Sequence, residues 1–368
     1  KIHTYAQDGR LFEGKTLVSA FLNSSYDGSF IAGLMELRYI QSLPVERIIN
    51  YFESHGFTLK KPTAHKLMEK ASSLFENLYK CIRQTALSDP YKAADETYYK
   101  ILVPEKNSKG KGVRKGYLWV VVGINTRMIY LLYDDGSRSE KVILNELGGC
   151  KGIIQSDGYS PYRKLESDAY PHITRIPCLQ HIKRKFIDCG EDDPDAKRIV
   201  EMINTLYQNE HKHKIGVDGW TVEQNLVHRK KYAPDILGEI KDVLDDIEER
   251  GDLLPKSELK EAITYLRNEW NAVVDIFNYG DTYLDNNIVE RMNRYISLSR
   301  KNSLFFGSHK GAERGAILYT IALTCRMNKV NLFEYLTDVI NRTAEWQPNT
   351  PLEKYRLLLP DRWEKAND

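Results

Sequence analysis

The stretch 117-YLWVVVGINTRMIYLLYD-134 consists of two short β-branched and aromatic runs, split by Gly123-Ile124-Asn125-Thr126. Runs of this kind favour strands, and a gap this short suits a turn, so the stretch reads as an antiparallel pair. Upstream, "DETYYKILV" (95–103) has the same texture and reads as a first strand opening on Asp95. The segment "KNSKGKGVRKG" (106–116) joins it to the second strand, which completes a three-stranded antiparallel meander. Downstream, "SEKVILNEL" (139–147) suits a helix, "GIIQSDG" (152–158) a short buried strand ending on Asp157, "HITRIP" (172–177) a fifth strand, and "CLQHIKRKFID" (178–188) a helix.

On either side of this block the texture is helical. Residues 1–90 read as an all-helical N-terminal region. Within it, Pro44 and Pro62 stand near two helix starts and Gly56 in the break between them. With Lys60, Lys61, His65 and Lys66 at the turn and second helix, two readings stand: a DNA-reading helix-turn-helix, or a plain helical hairpin. Residues 194–280 carry two apolar stripes, Ile236 to Ile247 and Leu259 to Phe277, separated by "GDLLP" (251–255), which predicts an αα-hairpin. The expected organisation is therefore a helical region (1–90), a first core segment (91–193), a helical insertion (194–280), closing core helices (281–345) and a tail (346–368).

The chain has 368 residues, 42% hydrophobic and 28% charged, which is ordinary for a globular protein with a substantial core. No apolar run approaches the roughly 18 residues of a membrane span, and no signal peptide is visible. The chain opens on Lys1 rather than Met, as a fragment or a processed chain would. Its five scattered cysteines argue against a disulfide framework and for a reducing, cytoplasmic setting. The net charge of +2 hides segregation: Glu105–Gly116 holds five cations against one acid, and Arg291–Arg314 holds six against Glu313. Basic stretches in a near-neutral protein point to a local polyanion site.

"LDNNIVERMNR" (284–294) lies in the second of these stretches. Projected at helical spacing, Asn286, Glu290, Asn293, Arg294, Ser297 and Lys301 share one side, and Ile288, Val289, Met292, Tyr295 and Ile296 the other. Taken alone, the polar side reads as a solvated face. The element order changes that reading. Three antiparallel strands, a helix, two further strands, a helical insertion and a closing helix are the order of a ribonuclease H-like α/β fold, a mixed sheet flanked by helices. Asp95 on the first strand, Asp157 ending the fourth and Glu290 on the late helix fall where that architecture places its acids. Carboxylates suit Mg²⁺, which takes hard oxygen ligands and keeps several waters. Two such ions (Mg²⁺ or Mn²⁺) activate a nucleophile and stabilise a leaving oxygen in phosphoryl transfer. Asp157 is expected to bridge both ions, with Asp95 and Glu290 each holding one. The neighbouring cations Arg291, Arg294, Arg300 and Lys301 then have phosphates to bind.

The segments "ADETYYKILVP", "GYLWVVVG", "IIQSDGYSPY", "CLQHIKRKF" and the long block beginning "DNNIVERMNRYISLSRKN" resemble the central domain of transposases of the insertion sequence 66 family, bacterial enzymes of the Asp-Asp-Glu class. The likeness runs from about Gly14 to the tail. It implies Asp95, Asp157 and Glu290 as catalytic metal ligands, two divalent ions, strand cleavage at element ends and strand transfer by the freed 3′-hydroxyl. It further implies DNA as partner, a homo-oligomer working on DNA near the nucleoid, and accessory proteins of the same element. Lys109, Lys111, Arg114 and Lys115 in the basic loop, and Lys183 and Arg184 on the helix after the fifth strand, join the expected DNA contacts. His181, Asn286 and Asn287 are expected to support the metal ligands. Family members usually carry coiled-coil and cysteine-rich zinc-binding segments ahead of this region, and neither pattern occurs in these 368 residues.

Other motifs carry less. Cys178-x₂-His181, with His211 and His213 downstream, is half of a zinc spacing without a second cysteine pair. Gly307, Gly311 and Gly315 near Lys310 follow no strand and lack the Gly-Lys-Ser/Thr pattern of a nucleotide site. A nuclease of the same fold that only hydrolyses, and an inactive DNA-binding remnant, are the alternatives. A glycosidase would need two acids and no basic flank.

Overall fold

The computed structural model describes residues 4–13, 19–21, 24–106, 110, 112–344, 346–347 and 349–365. Lys109 and Lys111 lie outside the described residues. The chain begins with an antiparallel hairpin, β1 (Thr4–Gln7) and β2 (Arg10–Glu13), turned at Asp8 and Gly9 with φ of 51° and 74°. This corrects the expectation of an all-helical N-terminal region. Four-residue strands are too short for a periodic signal, and Asp-Gly, a preferred two-residue hairpin turn, was the cue.

Four helices follow: α1 (Gly28–Met35), which continues into a π-helical turn, α2 (Val45–Ser54), α3 (Lys61–Leu74) and α4 (Glu76–Ser88). Pro44 and Pro62 stand at the starts of α2 and α3, and Gly56 turns between them with φ +78°. α3 buries Ala64, Leu67, Met68 and Ala71 and leaves Lys61, His65 and Lys66 exposed.

Next come β3 (Tyr91–Leu102), β4 (Val113–Gly123), β5 (Met128–Leu132), α5 (Glu140–Leu147), β6 (Gly152–Ser156), the short α6 (Ser160–Arg163), β7 (Ile173–Pro177) and α7 (Leu179–Ile187). The five strands form one mixed sheet in the order β5-β4-β3-β6-β7. β3, β4 and β5 are the antiparallel meander read from the sequence, while β6 runs parallel to β3 and β7 parallel to β6. β3 starts at Tyr91, so Asp95 lies inside the strand rather than opening it. Tyr91-Lys92-Ala93-Ala94 has little strand texture. It is held extended by partners on both sides, Lys92 opposite Gly123 and Tyr91 beside Ile153. Gly152 enters β6 with φ +89°, where a Cβ would come 2.2 Å from the Pro90 carbonyl oxygen.

The sheet interior is apolar on both faces: Trp119 to Val122 and Ile129 to Leu131 are fully buried. α4 and α12 (His309–Met327) pack on β5. Thr324 and Thr320 of α12 accept hydrogen bonds from the β5 amides of Ile129 (3.2 Å) and Leu131 (3.0 Å), which covers an otherwise open sheet edge.

Between α7 and the closing helices lie α8 (Pro194–Glu210), α9 (Val222–Glu249) and α10 (Glu258–Ile276). The last two form the expected pair across residues 250–257. Their apolar faces join Ile182 and Phe186 of α7 and Ile153 and Ile176 of the sheet in a second core. The chain then returns as α11 (Asn287–Asn302), followed by α12, α13 (Leu332–Thr343) and α14 (Leu352–Arg356). Among the described residues, no helix is long and apolar enough to cross a membrane.

Candidate active site

Asp95 sits in central β3, half-buried and opposite Val120 of β4. Its Oδ1 accepts the Glu96 amide (2.8 Å), and its Oδ2 accepts a hydrogen bond from Asn293 Nδ2 of α11 (2.5 Å). Burial, reinforced by the charges of Glu96 and Asp157, pushes the Asp95 carboxyl up to about 8. Burial also raises Glu96, although Arg138 opposes it with two hydrogen bonds to Oε1. Asn286, buried just before α11, donates to the Ala94 carbonyl (3.0 Å), and its amide donates to Cys178 Sγ (3.3 Å). These bonds fix the start of α11 against β3 and the β7–α7 junction. Glu290 and Asn293 lie one and two turns further on.

Asp157 directly follows β6, the parallel neighbour of β3. Two residues from elsewhere hold this corner. Arg175 of β7, only 2% exposed, donates to Ser156 Oγ (3.0 Å), to the Asp157 carbonyl (2.7 Å) and to Glu269 of α10 (2.5 Å). Tyr265 of α10 accepts the Gly158 amide at 2.8 Å. A Cβ at position 158 would come 2.5 Å from that hydroxyl oxygen, so Gly158 permits the approach. The Asp157 side chain accepts the Tyr159 amide (3.1 Å) and lines an open cleft of about 380 Å³ with Arg138, His181, Arg184 and Lys185.

Glu290 is half-buried on α11, with Oε1 3.6 Å from His181 Nδ1. Cys178, His181 and Glu290 are the one group of three metal-capable side chains, among the described residues, whose donor atoms lie within 4.8 Å of one another. Asp95, Asp157 and Glu290 are not gathered that tightly. They are nonetheless linked: Asp157 raises Asp95 electrostatically, and Asn293 connects Asp95 to the helix bearing Glu290. Glu290 Oε1, His181 Nδ1, Asn286 Oδ1 and Asn293 Oδ1 are buried and lack hydrogen-bond partners. Orphaned polar atoms at such density are costly in a finished core. Carboxylate and amide oxygens left open in this way fit hard divalent cations.

The expected DNA contacts divide by location. Arg184 is exposed in the cleft beside Asp157, and Lys183 of the same helix leans over Tyr207. Arg291, Arg294 and Lys301 are exposed on α11. Arg300 stacks 3.9 Å from the Tyr98 ring centre and donates to the Tyr98 carbonyl, and Lys115 lies 4.4 Å over the same ring, with Arg114 exposed beside it. Asn287 is exposed, its amide bonded to Asp285 Oδ1 (3.1 Å), and touches none of the three acids through the hydrogen bonds seen here. The sequence reading missed Glu96, Arg138, Arg175 and Tyr265, and gave Asn293 no contact. "DETYYK" shows two adjacent acids, but nothing local predicts that Arg138 closes on the second. His211 and His213 are not part of the Cys178 group, and His213 stacks on Trp220 at 3.9 Å.

A family model described as Transposase IS66 family matches residues 23–314. Three similar proteins from Sinorhizobium fredii (strain NBRC 101917 / NGR234) are each described as uncharacterized. Protein y4jD is 26% identical over 346 residues, covering 90% of this chain and 65% of that protein. Protein y4hP is 25% identical, covering 88% and 60%, and y4qI is 30% identical over 275 residues, covering 71% and 49%. The chain thus spans less than two thirds of the length of these relatives. The family match extends over the sheet, Asp95, Asp157, the cleft and Glu290, and on that ground the chain belongs to the IS66 family of transposases.

Proposed function

We propose that this chain carries the strand-cleaving and strand-joining centre of a DNA transposase, built on a ribonuclease H-like fold with residues 194–280 as a helical insertion. The observation that carries the reading is the convergence of three elements. Asp95 on central β3 and Asp157 at the end of adjacent β6 share one region of negative charge, and the helix that carries Glu290 is fixed to β3 by Asn286 and Asn293, which supports placing Glu290 with them. The strand order and directions support the fold assignment.

Asp95, Asp157 and Glu290 are the residues that would hold divalent cations, Mg²⁺ or Mn²⁺, two to a site. Bound there, such ions would neutralise the acids and assist phosphoryl transfer from a DNA phosphodiester to water or to a 3′-hydroxyl, the displaced DNA oxygen leaving. The chain's own residues do the rest. Arg138, Arg184 and Lys185 in the cleft attract and orient the phosphate backbone beside Asp157. Arg175 and Tyr265 keep the Asp157 backbone in place. Asn293 donates to Asp95 Oδ2 and so helps to orient that carboxyl group. The exposed basic face of α3 supports a DNA-reading role for the α2–α3 pair. A protein with this chemistry acts on element ends as a multimer at the bacterial nucleoid, with the element's accessory proteins.

The test is a cleavage assay on plasmid DNA containing the sequences that flank the gene, with Mg²⁺ or Mn²⁺. Wild type is expected to nick at the element ends and to yield joined products, and Asp157→Asn and Glu290→Gln to do neither. Hydrolysed ends without joined products would favour the nuclease reading. Equal cleavage by Glu290→Gln would remove Glu290 from the catalytic set.

A further inference from the structure

The side chains gathered around the Glu290 carboxylate are Cys178 and His181, neither of which the chemistry above uses as a ligand. Cys178 follows β7 as the cap residue of α7 and His181 lies in the first turn of that helix, so the Cys-x₂-His spacing places a thiol and an imidazole together. The sequence alone offered no further ligand. The fold supplies one from α11, because the Asn286 amide bonded to Cys178 Sγ brings the start of that helix onto the β7–α7 junction.

We infer that Cys178, His181 and Glu290 form a binding site for one borderline-soft divalent transition ion of the Zn²⁺ class, separate from the hard-cation site at Asp95 and Asp157 and sharing Glu290 with it. Three observations support this. The three donor atoms lie within 4.8 Å of one another, as three vertices of one coordination sphere must. Two of them, His181 Nδ1 and Glu290 Oε1, are buried without hydrogen-bond partners and stand 3.6 Å apart, too far for a hydrogen bond to each other. The donor set of sulfur, nitrogen and oxygen suits Zn²⁺ or Co²⁺ and is poor for Mg²⁺. His181 also lines the cleft, which leaves a water or a substrate oxygen access to a fourth position. On binding, the Cys178 thiol releases its proton to solvent and sulfur coordinates as thiolate.

The consequence for activity rests on the proposed function: an ion held here ties Glu290 to α7 and withdraws it from the hard-cation site, so Zn²⁺ inhibits what Mg²⁺ supports. Binding itself does not rest on that reading and is tested without DNA. The full chain is titrated with Co²⁺ under reducing conditions and followed by absorption. The expected result is one Co²⁺ per chain, with a thiolate-to-cobalt charge-transfer band and the intense visible bands of a four-coordinate site. Stoichiometric Zn²⁺ should erase these bands, and a large excess of Mg²⁺ should not. Cys178→Ser should lose the charge-transfer band, while Asp95→Asn should keep it. Absence of the band in folded wild type, or its persistence in Cys178→Ser, would overturn the site. If Cys178→Ser does not fold, His181→Gln decides. At least tenfold weaker Co²⁺ binding supports the site, and unchanged binding overturns it. A chain that binds Co²⁺ in this way yet cleaves no DNA would sink the functional reading and leave the metal site standing.

Discussion

Burial in β3 disfavours the charged form of Asp95. Its carboxyl ionises near 8 in the folded chain and near 4 when unfolded, so the native state keeps a proton that the unfolded chain gives up. Stability therefore falls as pH rises between those values, unless a cation replaces the proton. With a chelator present, Asp95→Asn should melt higher than wild type at pH 8 and at the same temperature near pH 3, as followed by circular dichroism. Mn²⁺ should raise the melting temperature at pH 8 more for wild type than for the variant. Asn286 poses the complementary case. Removing its buried bond to the Ala94 carbonyl by Asn286→Ala should cost about 1–3 kcal/mol in urea unfolding. Asn287→Ala, on the exposed side, should stay within about 0.5 kcal/mol of wild type. The sequence displays both asparagines side by side and cannot rank them. Which one is buried depends on where β3 lies, and no helical projection contains that. The same limit hid Asn293. On a helix wheel it is one more polar residue on a polar face, and it acquires a role only when Asp95 is brought beneath it.

At the level of elements, the parts that announced themselves were those whose side chains alone dictate conformation. Val120-Val121-Val122 and Ile129-Tyr130-Leu131 are strand formers buried on both faces, and the stripes of α9 and α10 have a helical period with a clear break at residues 251–255. The parts that did not were set by their neighbours. Tyr91–Ala94 is extended because β4 and β6 pair with it, and β1–β2 is only a turn with four-residue arms. Tertiary pairing outweighs local preference in such places. The helical segment before α11 also proved more than padding, since α10 supplies Tyr265 and Glu269 to the corner that holds Asp157. Its own anchor is the nearly buried pair of Arg229 and Glu210 (2.7 Å). Burial alone would raise the Glu210 carboxyl, but the hydrogen bonds and charge of Arg229 outweigh it and hold the group below its ordinary value. A depressed acid stabilises above its unfolded pKa, and that contribution is lost as pH falls below about 4.5 and through the folded value. Glu210→Gln leaves the Arg229 guanidinium buried without a counter-charge and should cost about 3 kcal/mol at pH 7. The deficit should shrink in acid, as read by unfolding at pH 7 and pH 3.

Over the whole molecule, charge is arranged by place rather than by sum. The net charge of +2 predicts almost no attraction to DNA, yet Arg184 and Lys185 flank Asp157 in one cleft, while α11 and the β3–β4 ladder present Arg291, Arg294, Lys301, Arg114 and Lys115. Binding to DNA should weaken steeply with salt. The double variant Arg184→Ala/Lys185→Ala should lower the slope of log K against log salt by about 1–2, because each lost phosphate contact accounts for about 0.9. Fluorescence anisotropy at several salt concentrations measures this. An unchanged slope would move the DNA track away from the cleft.

The bridge from Asn293 to Asp95 joins residues 198 positions apart in the chain. Seen in time rather than space, this is a delay. A ribosome adding 5–20 residues per second needs roughly 10–40 s to travel from one to the other. Throughout that interval the sheet, with Asp95 and then Asp157, can emerge and pair, while α11 has not yet been made. A nascent chain therefore holds two of the three proposed acids without the third. The three-acid centre proposed above therefore becomes complete only after α11 has been made, well after the sheet has emerged.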